Sequence, residues 1–320
     1  MSAAPPAEPA LAAHARLART VNMSQDLGAP LERGWGIDIQ QRHLADCAEN
    51  GFTAIRLPVC LAAHRTGGRL DPKMLRRIEQ VTDQARSLGL AVAVSNHRDP
   101  ELMASPQAHL GDLLATVSQL ARALKGRGSD VVLEPLTEPC HALDPRWNTV
   151  AAELIGAVRT EDPDVTLLLG PRSYSNARFL SELSLPAEER NLIIGVHHYW
   201  PITFTMQGEM FLGEDHPFGN PRSWLGTTWD QTPEQEAELR GGFSQMAGWG
   251  TMTERPLFLG EFGTTSNADM ASRVRWTRFN RKLAEQHGMS WGIWSFAPTF
   301  AIYDLDTGAF NTELLAALKD

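Results

Sequence analysis

The sequence predicts a single α/β domain folded as a (β/α)8 TIM barrel, and three observations favour that fold. Short β-branched runs alternate eight times with longer helical segments, and such alternation implies parallel strands because a crossover must separate them. The 320 residues exceed the roughly 250 of a typical barrel by the length of a few insertions. An open doubly wound sheet usually carries a GxGxxG turn after its first strand, and the sequence contains none.

The predicted strands are short runs rich in Val, Ile, Leu and Thr, at residues 20–23, 53–57, 91–95, 131–136, 166–169, 192–197, 257–261 and 291–294. Between them lie helical patterns, chiefly at residues 72–88, 109–125, 147–159, 232–248 and 268–286. In the first of these, Leu75, Ile78, Val81 and Ala85 recur at steps of three and four residues. This spacing predicts a helix with one buried face.

The domain organisation follows from composition. Residues 1–19 are rich in Ala and Pro, which predicts a loose tail, and the barrel is expected over residues 20–320. A stretch at about 200–232, rich in Gly, Pro, Trp and Phe, follows the sixth strand and predicts a long substrate-facing loop. The first residues lack a basic segment followed by an apolar one, so a cytoplasmic location is expected. A secreted location would follow if a leader had been removed.

Charge and cysteine usage exclude several classes of function. A net charge of −9 gives no attraction to nucleic acid or to an anionic membrane surface, and no apolar stretch reaches 18 residues. The three cysteines have no paired spacing, so no disulfide framework or zinc site is predicted. His197 and His198 are adjacent and would point to opposite faces of a strand, which prevents joint ligation of a metal. We therefore expect no cofactor and no metal.

Functional groups of a barrel collect where strands enter the loops that follow them. Polar or aromatic residues stand at or near the ends of six of the eight predicted strands, and these residues are Arg56, His97, Glu138, His197 with Tyr199, Glu261 and Trp294. A single strand-end residue of this kind is more often structural than catalytic. Six at one rim together indicate a site.

The two glutamates indicate the chemistry of that site. Glu138 and Glu261 end the fourth and seventh predicted strands, so both carboxyl groups can flank one bound group. Hydrolysis of a glycosidic bond needs one carboxyl to protonate the leaving oxygen and another to stabilise or attack the anomeric carbon. The pKa values of the two groups must then differ, which burial and neighbouring charges can achieve.

Several stretches, in their order and spacing, resemble glycoside hydrolase family 5, the cellulase-like branch of the retaining-glycosidase clan A, from residue 20 onward. They are VNM, GFTAIRLPV, LEPLTEP, HHYWPITFTMQG, LFLGEFG and WGIWSFAPTFAIYD. The resemblance implies a retaining glycoside hydrolase, with Glu138 as acid/base and Glu261 as nucleophile. It also implies that Arg56 supports the nucleophile.

The same resemblance implies further roles at the rim. His197 and Tyr199 match the family's H-x-Y pair, in which the tyrosine donates to the nucleophile, and Trp294 matches an aromatic platform under the sugar. Glu134 is expected to be a structural partner of a buried cation, namely Arg56. Pro135 removes a ladder donor within the predicted fourth strand, so a local bulge is expected there.

The chain departs from the family pattern at positions near the expected pocket. Thr137 replaces the asparagine that usually binds the sugar's 2-hydroxyl, and Asn96-His97 stands where close relatives favour two histidines. Cys60 and Met206 are further departures. We therefore expect a divergent member that acts on a small soluble β-glycoside or oligosaccharide, with a modified sugar or specialised metabolite as one candidate.

Two other readings of the sequence remain. One is a carbohydrate-binding barrel with weakened catalysis, which the pocket departures favour and the two retained glutamates oppose. The other is a barrel that uses the same glutamates for transglycosylation, elimination or isomerisation, since one barrel fold hosts many reactions.

Overall fold

The computed structural model describes residues 6–24, 27, 38–97 and 99–320. Eight parallel strands close into a barrel in which each is paired with its neighbours in chain order, and the last pairs with the first. The strands are β1 (Arg19–Asn22), β2 (Ala54–Val59), β3 (Ala91–Asn96), β4 (Val131–Glu134), β5 (Thr166–Leu169), β6 (Leu192–His198), β7 (Leu257–Phe262) and β8 (Ser290–Ile293). The predicted (β/α)8 barrel is confirmed.

Helices surround the barrel and one precedes it. In the described part of the chain, the α-helices of eight or more residues are α1 (Glu8–Arg16), α2 (Gln41–Glu49), α3 (Pro72–Ser87), α4 (Pro106–Leu124), α5 (Trp147–Glu161), α6 (Pro233–Thr253), α7 (Met270–Gln286) and α8 (Thr312–Lys319). Shorter ones lie at Pro100–Ala104, Arg172–Ser175 and Ile202–Thr205. Asp71 accepts the Lys73 amide hydrogen and caps α3, with Pro72 in the first helical position. The crossover from β5 to β6, which the structure describes throughout, differs from the others, because its longest helix is the 3-10 helix Ala177–Glu182.

The barrel interior has an apolar floor and a polar layer above it. Ala54 of β2 and Val132 of β4 belong to the apolar cluster at the floor. Side chains alternate between the two faces of a strand, so Arg56 and Glu134, two residues further along, point to the same interior. The inward direction of these two charged side chains thus follows from the two-residue period of the strands. Both lie toward the carboxyl ends of the strands.

Helix α1 contradicts the predicted loose tail. Residues 8–16 form a regular helix in which Ala10 and Ala13 are buried. Ala13 and Leu17 pack in the apolar cluster of the barrel floor, and His14 Nε2 lies 2.8 Å from the carbonyl oxygen of Leu257 in β7. The alanine content that suggested disorder therefore gives close packing, because small side chains let the helix approach the ends of the strands.

The predicted bulge at Pro135 is wrong. Strand β4 ends at Glu134, so Pro135 lies beyond the ladder and its missing N–H leaves no gap in it. Register shifts occur instead between β6 and β7 at Val196 and His197, and between β7 and β8. The first of these lies next to His197.

The loop after β6 is packed by aromatic side chains. Trp224 and Trp229 are buried, and Trp200 contacts the Phe218 ring at 5.7 Å between centroids. Phe218 itself is 54% exposed.

Among the residues that the structure describes, no helix combines the length and apolar character needed to cross a membrane.

Candidate active site

Arg56 is the centre of a buried polar network. Its guanidinium lies 2.7 Å from Oε2 of Glu134 through Nε and 2.7 Å from Oε1 of Glu261 through Nη1. It also donates to Oδ1 of Asn22 at 2.9 Å and to Oγ1 of Thr137 at 2.8 Å. Four strands or strand ends thus meet at one cation. The expected pairing of Arg56 with Glu134 is present.

Glu261 is held through both of its carboxylate oxygens. Oε1 accepts from Arg56, and Oε2 accepts from the hydroxyl of Tyr199 at 2.9 Å. His97 Nε2 lies 4.0 Å from Oε1, and His197 Nδ1 lies 3.7 Å from Oε2. The carboxylate is buried, so its orientation is fixed by these neighbours.

Glu138 reaches the site from the loop beyond β4. Its backbone has a φ of 51°, in the left-handed region that residues other than glycine seldom adopt. Its amide N–H donates to Oγ of Ser175 at 3.3 Å, and its Oε1 lies 2.7 Å from Nδ1 of His197. The side chain is 35% exposed, which makes it the more accessible of the two glutamates.

The two glutamates face one another across a narrow gap. One carboxylate oxygen of Glu138, one of Glu261 and a ring nitrogen of His197 all lie within 4.8 Å of one another. Carboxyl groups stand roughly 5–5.5 Å apart in retaining glycosidases and roughly 6.5–9.5 Å apart in inverting ones. The short gap therefore suits direct attack by one carboxylate rather than activation of an intervening water.

The charges of these groups shift their pKa values. Burial works to lower the pKa of His197, but Glu261 and Glu138 outweigh it and leave that pKa raised. Burial raises the pKa of Glu261, while His197 and Arg56 act against this rise. Burial and the adjacent Glu261 raise the pKa of Tyr199 well above its usual value. Tyr199 therefore remains a protonated donor to Glu261.

The adjacent histidines lie on opposite faces, as the strand period requires. His197 faces the glutamates, whereas His198 stacks on Trp276 at 6.1 Å and 3° outside the barrel. Burial lowers the pKa of His198 to about 4. Glu138, His197 and Glu261 could together surround a cation, although Glu138 and His197 already bond to each other.

Asn96, His97 and Trp294 complete the predicted set. Asn96 is fully buried and its Nδ2 donates to the Pro135 carbonyl at 3.1 Å, so it supports the loop that leads to Glu138. His97 and Trp294 lie nearly parallel, with ring centroids 5.9 Å apart and an angle of 9°. Trp294 is half-buried, and the His97 ring on which it stacks lies next to Glu261.

Sequence reasoning missed Asn22. Besides accepting from Arg56, its Nδ2 donates to the carbonyls of Gly260 at 3.0 Å and Ile293 at 3.1 Å. Asn22 thus joins β1 to β7 and β8 at the level of the site. Asn22 lies inside the predicted strand 20–23 and not at its end, so it was not among the strand-end candidates. Its position two residues after Thr20 nevertheless places both side chains on the same, inward face.

A closed barrel with two carboxylates facing one another at its rim is the arrangement found in retaining glycoside hydrolases. The model of the cellulase family, glycosyl hydrolase family 5, matches residues 17–299. The chain belongs to glycoside hydrolase family 5. The resemblance read from the motifs is confirmed.

Relatives and solved structures agree with this assignment. Endoglucanase H of Acetivibrio thermocellus is 25% identical over 93% of this chain, and cellodextrinase A of Ruminococcus flavefaciens is 22% identical over 79%. The chain spans about a third of the length of endoglucanase H, at 32%. Cel5A of Thermotoga maritima, solved in complex with cellobiose, is 30% identical with a TM-score of 0.92 over 97% of this chain and 100% of that one.

Proposed function

We propose that the protein cleaves β-glycosidic bonds by double displacement, with Glu261 as nucleophile and Glu138 as general acid/base. The observation that carries this proposal is the gap of 4.8 Å or less between the two carboxylates. In the first step Glu261 attacks the anomeric carbon while Glu138 protonates the leaving oxygen. In the second step Glu138 takes a proton from water, which attacks the same carbon and releases Glu261.

The environments of the two glutamates support this division of roles. Glu261 accepts a charge-assisted hydrogen bond from Arg56 and another from Tyr199, and such donors favour the anion that a nucleophile needs. Glu138 Oε1 lies 2.7 Å from His197 Nδ1, and the Glu138 side chain is more exposed than that of Glu261. Glu138 can therefore exchange protons with a leaving group and with water. Each group thus has the surroundings that its step requires.

A mechanism-based inactivator tests the roles directly. A 2-deoxy-2-fluoro β-glycoside with a good leaving group should form a stable ester, and peptide mass analysis should locate the label on Glu261. Glu261→Gln should neither turn over substrate nor take up label, with activity falling by about 10⁴-fold or more. Labelling of another residue, or unaltered turnover by Glu261→Gln, would contradict the assignment.

We further propose that the substrate is a soluble β-glycoside or oligosaccharide whose sugar is not recognised strictly at C2. Thr137 stands at the position next to Glu138 and directs its hydroxyl to Arg56, which leaves it poorly placed to hold a 2-hydroxyl. Relatives named endoglucanases support glucose among the accepted sugars. Cel5A of Thermotoga maritima has been solved with both cellobiose and mannotriose. The glucose units of the first and the mannose units of the second differ in configuration at C2.

A panel of aryl β-glycosides tests recognition at C2. Gluco, manno and 2-deoxy-gluco substrates should be hydrolysed with kcat/KM values within about tenfold of one another, because little binding free energy depends on the 2-hydroxyl. Thr137→Asn should raise the preference for gluco over 2-deoxy-gluco. The idea fails if this substitution leaves every rate unchanged or abolishes all activity. Cello-oligosaccharides and soluble cellulose, compared at equal mass, test the preference for short chains.

A further inference from the structure

Left-handed residues cluster in the two loops that follow β4 and β5. Glu138 and His141 of the first loop have φ values of 51° and 56°, and Ser173, Tyr174 and Ser175 of the second have 57°, 65° and 54°. Residues other than glycine seldom adopt this conformation, and it persists only where the surroundings impose it. Five of them in two neighbouring loops indicate a structure held for a purpose other than stability.

The second loop forms hydrogen bonds along the backbone of the first. The Tyr174 amide donates to the carbonyl of Pro139 at 3.1 Å, and the Tyr174 hydroxyl lies 3.1 Å from Nε2 of His141. The amide of Glu138 donates to the hydroxyl oxygen of Ser175 at 3.3 Å. The loop after β5 therefore holds the segment 138–141 through three hydrogen bonds, to Glu138, Pro139 and His141.

The position of the Ser175 hydroxyl is fixed by close packing. Ser175 is 1% exposed, and a Cβ at Gly170 would lie 2.6 Å from its Oγ. Gly170 is in turn held by the indole N–H of Trp147, which donates to its carbonyl at 2.8 Å. A residue larger than glycine at 170 would displace the serine. The packing thus leaves the hydroxyl one place, facing the Glu138 amide.

We propose that Ser175 is a positioning residue that holds Glu138 in the left-handed conformation from which its carboxyl reaches His197 and the gap to Glu261. This inference rests on the proposed role of Glu138 as general acid. Without the hydroxyl, the partly buried amide N–H of Glu138 loses its acceptor, and the backbone at 138 can relax toward an ordinary conformation. The Glu138 carboxyl then moves away from the leaving oxygen, and the rate of proton transfer to that oxygen falls.

The dependence of rate on the leaving group tests the proposal. Ser175→Gly accepts a φ of 54° without strain and removes only the side chain, and Ser175→Ala removes the hydroxyl while keeping a Cβ. With aryl β-glycosides of phenols that are poor leaving groups, kcat/KM should fall by about 10–100-fold in both variants. With a dinitrophenyl glycoside, which needs no protonation, kcat/KM should change by less than about threefold. An equal loss on all substrates, or no loss, overturns the proposal.

Two controls separate this proposal from the rest. Ser173→Gly relieves the same backbone conformation in the same loop. The amide N–H of residue 173 still donates to Asp144 Oδ1 at 2.8 Å, so both substrates should be hydrolysed at the parent's rates. Glu138→Ala should show a larger leaving-group dependence than either Ser175 variant. If Glu138→Ala shows none, the role of Glu138 fails. If Glu138→Ala shows the leaving-group dependence and the two Ser175 variants do not, only the role of Ser175 fails. The same conclusion follows if both Ser175 variants lose the native circular dichroism spectrum.

Discussion

Arg56 Nη1 lies 2.7 Å from Oε1 of Glu261, and both side chains are withdrawn from solvent in the middle of the barrel. The same guanidinium is 2.7 Å from Glu134, so one cation stands between two buried carboxylates. Burial works to raise the pKa of Glu134, but Arg56 outweighs it and leaves that pKa lowered. Glu134 thus offsets the charge of Arg56 and keeps its guanidinium in place. In the proposed mechanism Glu261 becomes neutral when it bonds to the sugar, and Arg56 then still has a carboxylate partner.

Replacing Arg56 by lysine should damage catalysis more than folding. A lysine ammonium is a compact charge on a flexible stem and cannot contact Glu134, Glu261 and the neighbouring oxygens in the same planar arrangement. We expect kcat/KM for an aryl β-glycoside to fall by about 10²–10³-fold. The matched control is Arg159→Lys in another ion pair, 2.6 Å from Glu189, which should lower the melting temperature and leave kcat/KM unchanged. Similar rate losses in both variants would show that the effect is one of general stability.

The adjacent histidines should give opposite pH dependences of stability. The pKa of His197 is raised by its carboxylate neighbours, so its contribution to the free energy of unfolding is complete below about 6.5 and is lost as pH rises through the raised value. The pKa of His198 is lowered to about 4, so the unfolded chain binds its proton first and stability rises between about pH 4 and 6.5.

Urea unfolding at a series of pH values measures both effects. Relative to His197→Gln, the parent protein should lose free energy of unfolding as pH increases from 6.5 upward. Relative to His198→Leu, it should gain free energy of unfolding from pH 4 to 6.5 and then stay level. Differences that do not vary with pH in these windows would contradict the assignment of the two environments.

Tyr199→Phe should reduce turnover while leaving the fold intact. The substitution removes the hydroxyl that donates to Oε2 of Glu261 at 2.9 Å and keeps the ring that packs against Phe300. We expect kcat to fall by about 10–100-fold because Glu261, the proposed nucleophile, loses a donor and keeps that of Arg56. Tyr303→Phe is the control, since that hydroxyl donates to Asp46 at 2.6 Å in another part of the molecule. A kcat for Tyr199→Phe within about twofold of the parent's would refute the role of the hydroxyl.

The alternation of the strands made much of this arrangement predictable. Arg56 and Glu261 occupy inward-facing positions of β2 and β7, so closure of the barrel brings their side chains together. Glu138 was harder, because β4 ends four residues earlier and the glutamate reaches the site through a left-handed turn. No period in the sequence encodes such a turn. Ser175 was missed for the same reason, since its importance depends on a contact between two irregular loops.

The amino-terminal segment was misjudged because composition is a weak guide where packing decides. Residues 8–16 contain alanines that suit a disordered tail and equally suit a helix lying close against another surface. The barrel floor presents the small side chains Ala54, Ala91 and Ala93, and this surface exists only after the strands have closed. A reading of the chain by segments could not anticipate it.

Leu17→Ala should therefore destabilise the whole barrel, although Leu17 lies in a segment whose composition predicted a loose tail. Leu17 is fully buried and packs in the floor cluster with Ala13 and Phe258, and removal of a buried leucine side chain costs about 2–5 kcal/mol. Leu11→Ala in the same helix is the matched control, since Leu11 is 48% exposed and its loss should cost less than about 0.5 kcal/mol. Urea unfolding measures both. Equal stability of the two variants would mean that α1 does not close the barrel in solution, whereas a loss confined to Leu17→Ala would show that the helix is part of the folded core.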